Sequence, residues 1–247
     1  RFLQFWNKEV PTAISSNYRE FLYSLSIFMI FFWIGILSSA NDSSYIRLIL
    51  GDSYVNMTLE NIKNNDPLAV YKQMNEITMF LGITFNNIKV SFFAFTMGIL
   101  FSFGTVFILA FNAMMLGAFL YLFYENGLLA EAMSVIWIHG TLEISAIVLA
   151  GGAGMIIGNS ILFPGTYSRL HSFRKGVKSG TKVILGLIPI FIAAGFLEGF
   201  ITRYTELNIT VKLLIIISSL LIIIYCFIYR PYRLSKMENP NEHPAKN

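Results

Sequence analysis

The stretch Ile138–Gly158 reads IHGTLEISAIVLAGGAGMIIG, an apolar run carrying one histidine, one glutamate and a series of small residues. His139 and Glu143 lie four positions apart. At about 3.6 residues per helical turn, that spacing puts both on one face. The same face continues through Ala146, Ala150 and Gly154, with Gly158 at its edge. A bilayer core is crossed by about 20 consecutive apolar residues, so the stretch reads as a membrane helix with a titratable pair and a groove of small side chains on one stripe.

The rest of the chain agrees. Of its 247 residues 55% are apolar and only 13% charged, and its mean hydropathy is +0.62. A soluble domain carries about 25% charged residues, so this chain lacks the polar surface to fold in water. Apolar runs occupy approximately 21–39, 90–111, 113–124, 134–163, 183–202 and 209–229. The expected fold is all-α and polytopic, with six transmembrane helices; five plus a re-entrant helix is the alternative. The run 113–124 is short for a span, and only Asn112 separates it from its predecessor. A tight hairpin turning near Asn112 would reconcile the two. The run 134–163 is too long, so it must tilt, break at its glycines, or begin in the interface.

Charge placement sets the expected orientation. Arg169, Arg174, Lys175, Lys178 and Lys182 follow the fourth run, and Arg230, Arg233 and Lys236 follow the last. By the positive-inside bias both segments face the cytoplasm. The expected organisation is a cytoplasmic segment 1–20, a first span 21–39, an extracytoplasmic helical segment 40–88, a membrane core 89–229 and a cytoplasmic tail 230–247. Because the chain begins at Arg1, a missing upstream region is expected. In the outer segment, Asp66-Pro67 reads as a helix start, with Leu68, Tyr71, Met74, Ile77 and Leu81 at helical spacing behind it. Tyr45, Leu48 and Ile49, then Val55, Leu59 and Ile62, suggest two further short turns.

Ionisable groups inside spans are costly and generally partnered. His139 and Glu143, with Glu198 in FLEGF as a third member, therefore read as a structural hydrogen-bond lock between helices or as a proton-handling cluster. Ala146, Ala150, Gly154 and Gly158 form a small-xxx-small pattern, which serves packing within the chain or a homodimer. The basic residues from Arg169 to Lys182 suit anionic lipid headgroups or a soluble partner. The motif is not HExxH, and no nucleophile elbow, Walker loop or dinucleotide fingerprint occurs. No enzymatic activity, cofactor, metal or nucleic acid is expected; membrane lipids and envelope proteins are the expected partners.

IHGTLEISAIVLAGGAG, then GNSILFPGTYSR and FLEGFITR, resemble the stage II sporulation protein M family of bacterial membrane proteins. NNIKVSFFAFTMGILFSFG and FNAMMLGAF add to the likeness, which covers about residues 80–205. The resemblance implies a multi-span protein of the bacterial inner membrane that anchors envelope partners without catalysis. It places His139 and Glu143 at the family's HGxxE motif positions and assigns them no catalytic role. This chain has Ile138 where the family pattern suggests proline. The alternative function is a transporter or channel whose pathway passes His139, Glu143 and Glu198.

Overall fold

The computed structural model describes residues 2–72 and 75–238, and all regular structure in it is helical. Six helices are long and apolar enough to cross a membrane: α2 (Tyr18–Asn41), α5 (Glu76–Thr96), α6 (Phe103–Glu125), α7 (Leu129–Leu162), α8 (Arg169–Phe196) and α9 (Ile209–Ile224). The short helix α1 (Val10–Ser15) precedes them, and α3 (Ser43–Leu50) and α4 (Asp52–Lys63) follow the first span. The helix α10 (Arg230–Glu238) closes the described chain. Residues 239–247, the end of the expected tail, lie outside the described residues, as does Met74.

Helix α7 runs through the middle of the bundle. It is continuous over 34 residues, so the long apolar run is one helix and does not break at its glycines. Its length of roughly 50 Å, at about 1.5 Å per residue, exceeds the hydrocarbon layer. The outer spans turn apolar side chains outward, Leu22, Ile30 and Leu37 on α2 and Leu214, Leu221 and Ile224 on α9 among them. Only a hydrocarbon solvent makes such a surface stable, and the protein is a polytopic helical membrane protein.

Two sequence expectations about turns are corrected. The chain does not turn at Asn112: α6 passes straight through it, and the Asn112 amide donates to the Ile108 carbonyl at 2.8 Å. The turn falls about ten residues earlier, where Phe101 and Ser102 take φ of 53° and 68°. The apolar side chains of 99–103 hid it, since nothing strongly polar punctuates the run. Six spans result, without a re-entrant segment between the second and third.

The second correction concerns Asp66-Pro67. No α-helix starts there; Asp66 instead pairs with Lys72 at 2.9 Å, and a single tight turn covers Ala69–Tyr71. The next helix is the span α5 itself, begun at Glu76 with Asn75 accepting from the Ile77 amide at 3.0 Å. The interhelical segment therefore ends near residue 75, not 88. Leu68 and Tyr71 are buried, while Ile77 and Leu81 lie exposed on the span. The two short turns expected upstream are the helices α3 and α4, with Asp42 capping the Ser44 amide at 2.8 Å. That hydrogen bonding from Ser44 holds the Asp42 carboxyl below its ordinary range.

Together α3, α4 and the Ala69–Tyr71 turn form a cap on one end of the bundle. Ile46 and Val55 pack on Leu122, and Leu68 and Tyr71 pack with Leu120, Phe123 and Val135. At the opposite end the first residues are no loose tail. Val10, Ala13 and Ile14 are buried in the main core, the Trp6 indole donates to the Gly186 carbonyl at 3.0 Å, and Lys182 meets Glu9 at 2.8 Å.

Candidate functional site

The stripe from His139 to Gly158 divides into a polar upper part and a dry lower part. In the lower part Ala146, Ala150, Gly154 and Gly158 are all buried. A Cβ on Gly154 would stand 2.5 Å from Thr105 Oγ1 and 2.6 Å from the Ala94 carbonyl oxygen, and one on Gly158 would meet Ser102. The backbone of Gly98 approaches that of Gly154 so closely that a Cβ on Gly98 would collide with the Gly154 oxygen. The groove is thus filled by the α5–α6 turn of the same chain. Gly151 and Gly152 serve the other side, seating Ser24 and Phe21 of α2.

The upper part carries the charge. His139, Glu143 and Glu198 come together with one ligand atom from each within 4.8 Å of the others. His139 is 5% exposed. Its Nε2 lies 3.7 Å from Glu198 Oε2. Glu198 reaches the cluster because the end of α8 widens into a π-turn, Leu197–Thr202. Such turns are rare and recur at functional sites, since they re-aim side chains without ending the helix.

The same π-turn brings Thr202, which is fully buried, to His139 Nδ1 at 3.1 Å. Its hydroxyl also lies 3.1 Å from the Leu197 carbonyl, to which it donates. A hydroxyl has one proton. With that proton on Leu197, Thr202 Oγ1 accepts from His139 Nδ1–H. The Nδ1-protonated neutral imidazole satisfies both contacts and leaves the Nε2 lone pair aimed at Glu198.

Two more helices complete the shell. From α5, the buried Asn87 carboxamide hydrogen-bonds Glu143. From the cap, the Tyr71 ring meets the His139 ring edge-on at 5.9 Å between centroids. Burial holds the Tyr71 hydroxyl well above its ordinary value and pushes Tyr54 up to about 12, so both phenols stay neutral. Beside Glu143 a cavity of about 330 Å³ opens, lined by Tyr54, Asn112, Phe28 and Met115.

Sequence reasoning found the three titratable members and missed Asn87, Thr202 and Tyr71. A signal for the first existed: Thr84, Asn87 and Ser91 recur at helical spacing, and all three are buried on α5. Lys212 was also missed; it is buried at the start of α9, donating to the Thr205 carbonyl at 2.6 Å and closing the 203–208 loop. The basic group is split by the fold. Arg169, Arg174, Lys175 and Lys178 are spread along α8, with Lys175 over the Tyr167 ring at 5.0 Å, while Lys182 is spent on Glu9.

A HGxxE helix, a glycine-packed neighbour and a following LEG turn carry one continuous pattern through the bundle. Residues 24–203 match the family model described as stage II sporulation protein M. The chain belongs to that family. The match spans α2 to Arg203, so it includes the cap, the polar cluster and the small-residue groove of this family member. No curated protein and no solved structure matches the chain.

Proposed function

We propose that this stage II sporulation protein M family member is a non-enzymatic scaffold subunit of the bacterial cytoplasmic membrane, with both termini cytoplasmic, holding envelope proteins on its cap. The observation that carries this reading is the cap itself. Two helices and a turn sit on the bundle end with their own cores, tied down by Tyr71 on His139 and by Arg203, whose guanidinium reaches the Lys72 carbonyl at 3.5 Å. A connection needing only to join two spans requires no such ordered platform. On its outer side Leu48 is 78% exposed, an apolar contact without cover on a surface otherwise polar at Asp52, Asn56 and Glu60. In this reading His139, Glu143 and Glu198 lock the spans beneath the platform, and the basic residues of α8 touch lipid headgroups or a soluble partner.

A photo-crosslinking residue at Leu48 should trap the same discrete envelope protein in repeated preparations from cells. Leu48→Glu should abolish the adduct, and the same crosslinker at lipid-facing Phe107 should give none. Equal labelling at Leu48 and Phe107, or no adduct at Leu48, refutes the scaffold reading. The rival, a pathway past Glu143, draws on the cavity at that residue. Beyond it, however, the stripe closes on itself at Ala146, Ala150 and Gly154. Flux of ions or small solutes into proteoliposomes that Glu143→Gln abolishes would establish it instead.

A further inference from the structure

We propose that His139, Glu143 and Glu198 bind one divalent transition-metal ion, through His139 Nε2 and one carboxylate oxygen from each glutamate. The donor chemistry leads there. The hydrogen-bond chain from His139 through Thr202 to Leu197 commits the Nδ1 proton and leaves Nε2 as a lone pair. That lone pair faces Glu198 Oε2 at 3.7 Å, beyond hydrogen-bond reach, with Glu143 close by. Three lone-pair donors therefore converge on one point inside the helix bundle.

The set matches what such an ion requires. Bonds of about 2.0–2.2 Å to imidazole and carboxylate place tetrahedral ligands roughly 3.4 Å apart. The 3.7 Å between Nε2 and Oε2 lies close to that spacing, and all three ligand atoms fall within 4.8 Å of one another. Two carboxylates neutralise a doubly charged ion, which removes the cost of an unpaired charge in a low-dielectric surround. Imidazole suits zinc, iron, copper or nickel, whereas calcium and magnesium prefer all-oxygen shells. A ligating histidine ordinarily donates its other ring N–H to an oxygen acceptor, the part Thr202 takes here.

The surroundings of Glu143 suit the same role. Asn87 is 6% exposed and its side chain hydrogen-bonds Glu143, so it would orient that carboxylate as a ligand. A water reaching the ion through the cavity at Glu143 would fill the fourth position. The ion ties α7 to the end of α8, beneath the cap. The proposal does not depend on what the cap binds.

The test uses the full chain purified in detergent, stripped with EDTA and desalted, then titrated with Co²⁺ or Zn²⁺ alone. Wild type should retain one ion per chain, show the visible bands of four- or five-coordinate Co²⁺, and lose them to Zn²⁺. Zn²⁺ should raise the thermal midpoint and move the His139 ring nitrogen resonances. Glu143→Gln, Glu198→Gln and His139→Gln should each weaken Zn²⁺ at least tenfold, and His171→Gln should not. Thr202→Val, which touches no ion, should weaken it about 10–100-fold and keep the one-to-one stoichiometry. Any ligand variant that fails to fold leaves the wild-type resonances and the Thr202→Val titration to decide. Wild type without bound ion, unmoved His139 resonances, or unchanged affinity in the folded variants overturns the site.

Discussion

Thr202→Val tests the hydrogen-bond chain on which the cluster's chemistry turns. Valine keeps the shape of threonine and removes only the hydroxyl, in a residue with no exposed surface. Leu197 O loses a 3.1 Å bond, and the His139 Nδ1–H loses its acceptor at 3.1 Å. A buried donor left unsatisfied costs about 1–3 kcal/mol. For a protein of this size each kcal/mol moves the thermal midpoint by about 2–4 °C, so a loss of roughly 2–12 °C is expected. Thr202→Ser keeps the hydroxyl and should recover most of it. The second readout is the tautomer. The chain has three histidines, so the ring ¹⁵N resonances of His139 can be assigned with His171→Gln and His243→Gln. Wild type should show a protonated Nδ1 and an unprotonated Nε2, and Thr202→Val a mixture. A valine variant as stable as wild type, or a wild-type ring protonated at Nε2 alone, refutes the reasoning.

Other expectations are simpler. Gly98→Ala drives a methyl into the Gly154 carbonyl oxygen, a clash between two backbones that only separation of the helices relieves. Overpacking of this kind costs about 1–3 kcal/mol, whereas Gly140→Ala, whose nearest neighbour would stand 3.6 Å away, should be neutral or stabilising in the same thermal assay. Lys182 beside Glu9 holds that carboxyl below its ordinary value of 4.5. A folded-state value below the unfolded one stabilises docking above that pH and loses the contribution as pH falls through the lowered value. Hydrogen exchange or limited proteolysis of residues 2–15 should therefore rise below about pH 4.5 in wild type, and be high at all pH values in Lys182→Gln. EDTA-stripped wild type should melt below the zinc-loaded chain, and Glu198→Gln should show no such difference.

Much of the architecture was legible because hydrocarbon imposes a coarse rule. Long runs without charge become helices, and six of them were visible as blocks of Leu, Ile, Phe and Val. The boundaries obeyed finer physics. The turn at Phe101–Ser102 left no mark because left-handed backbone there is held by packing against Gly158, not by a glycine or proline in the loop. Asp66-Pro67 looked like a helix start, but the local signal lost to an ion pair with Lys72 and to burial of Leu68. At the site, helical spacing paired His139 with Glu143, and Glu198 followed from the rarity of acids in spans. Thr202 was invisible, since a threonine just before an arginine carries no sign of its partner 63 residues away.

The widened turn at Leu197–Thr202 has a genetic signature. A π-turn amounts to one extra residue slipped into an α-helix, and each residue rotates the downstream chain by about 100°. Excising a single residue there, Gly199 for instance, would tighten the coil and swing Thr202 and Arg203 off their present bearings. One codon thus separates a straight span from one whose end wraps around an imidazole and clasps the start of α5 through Glu76.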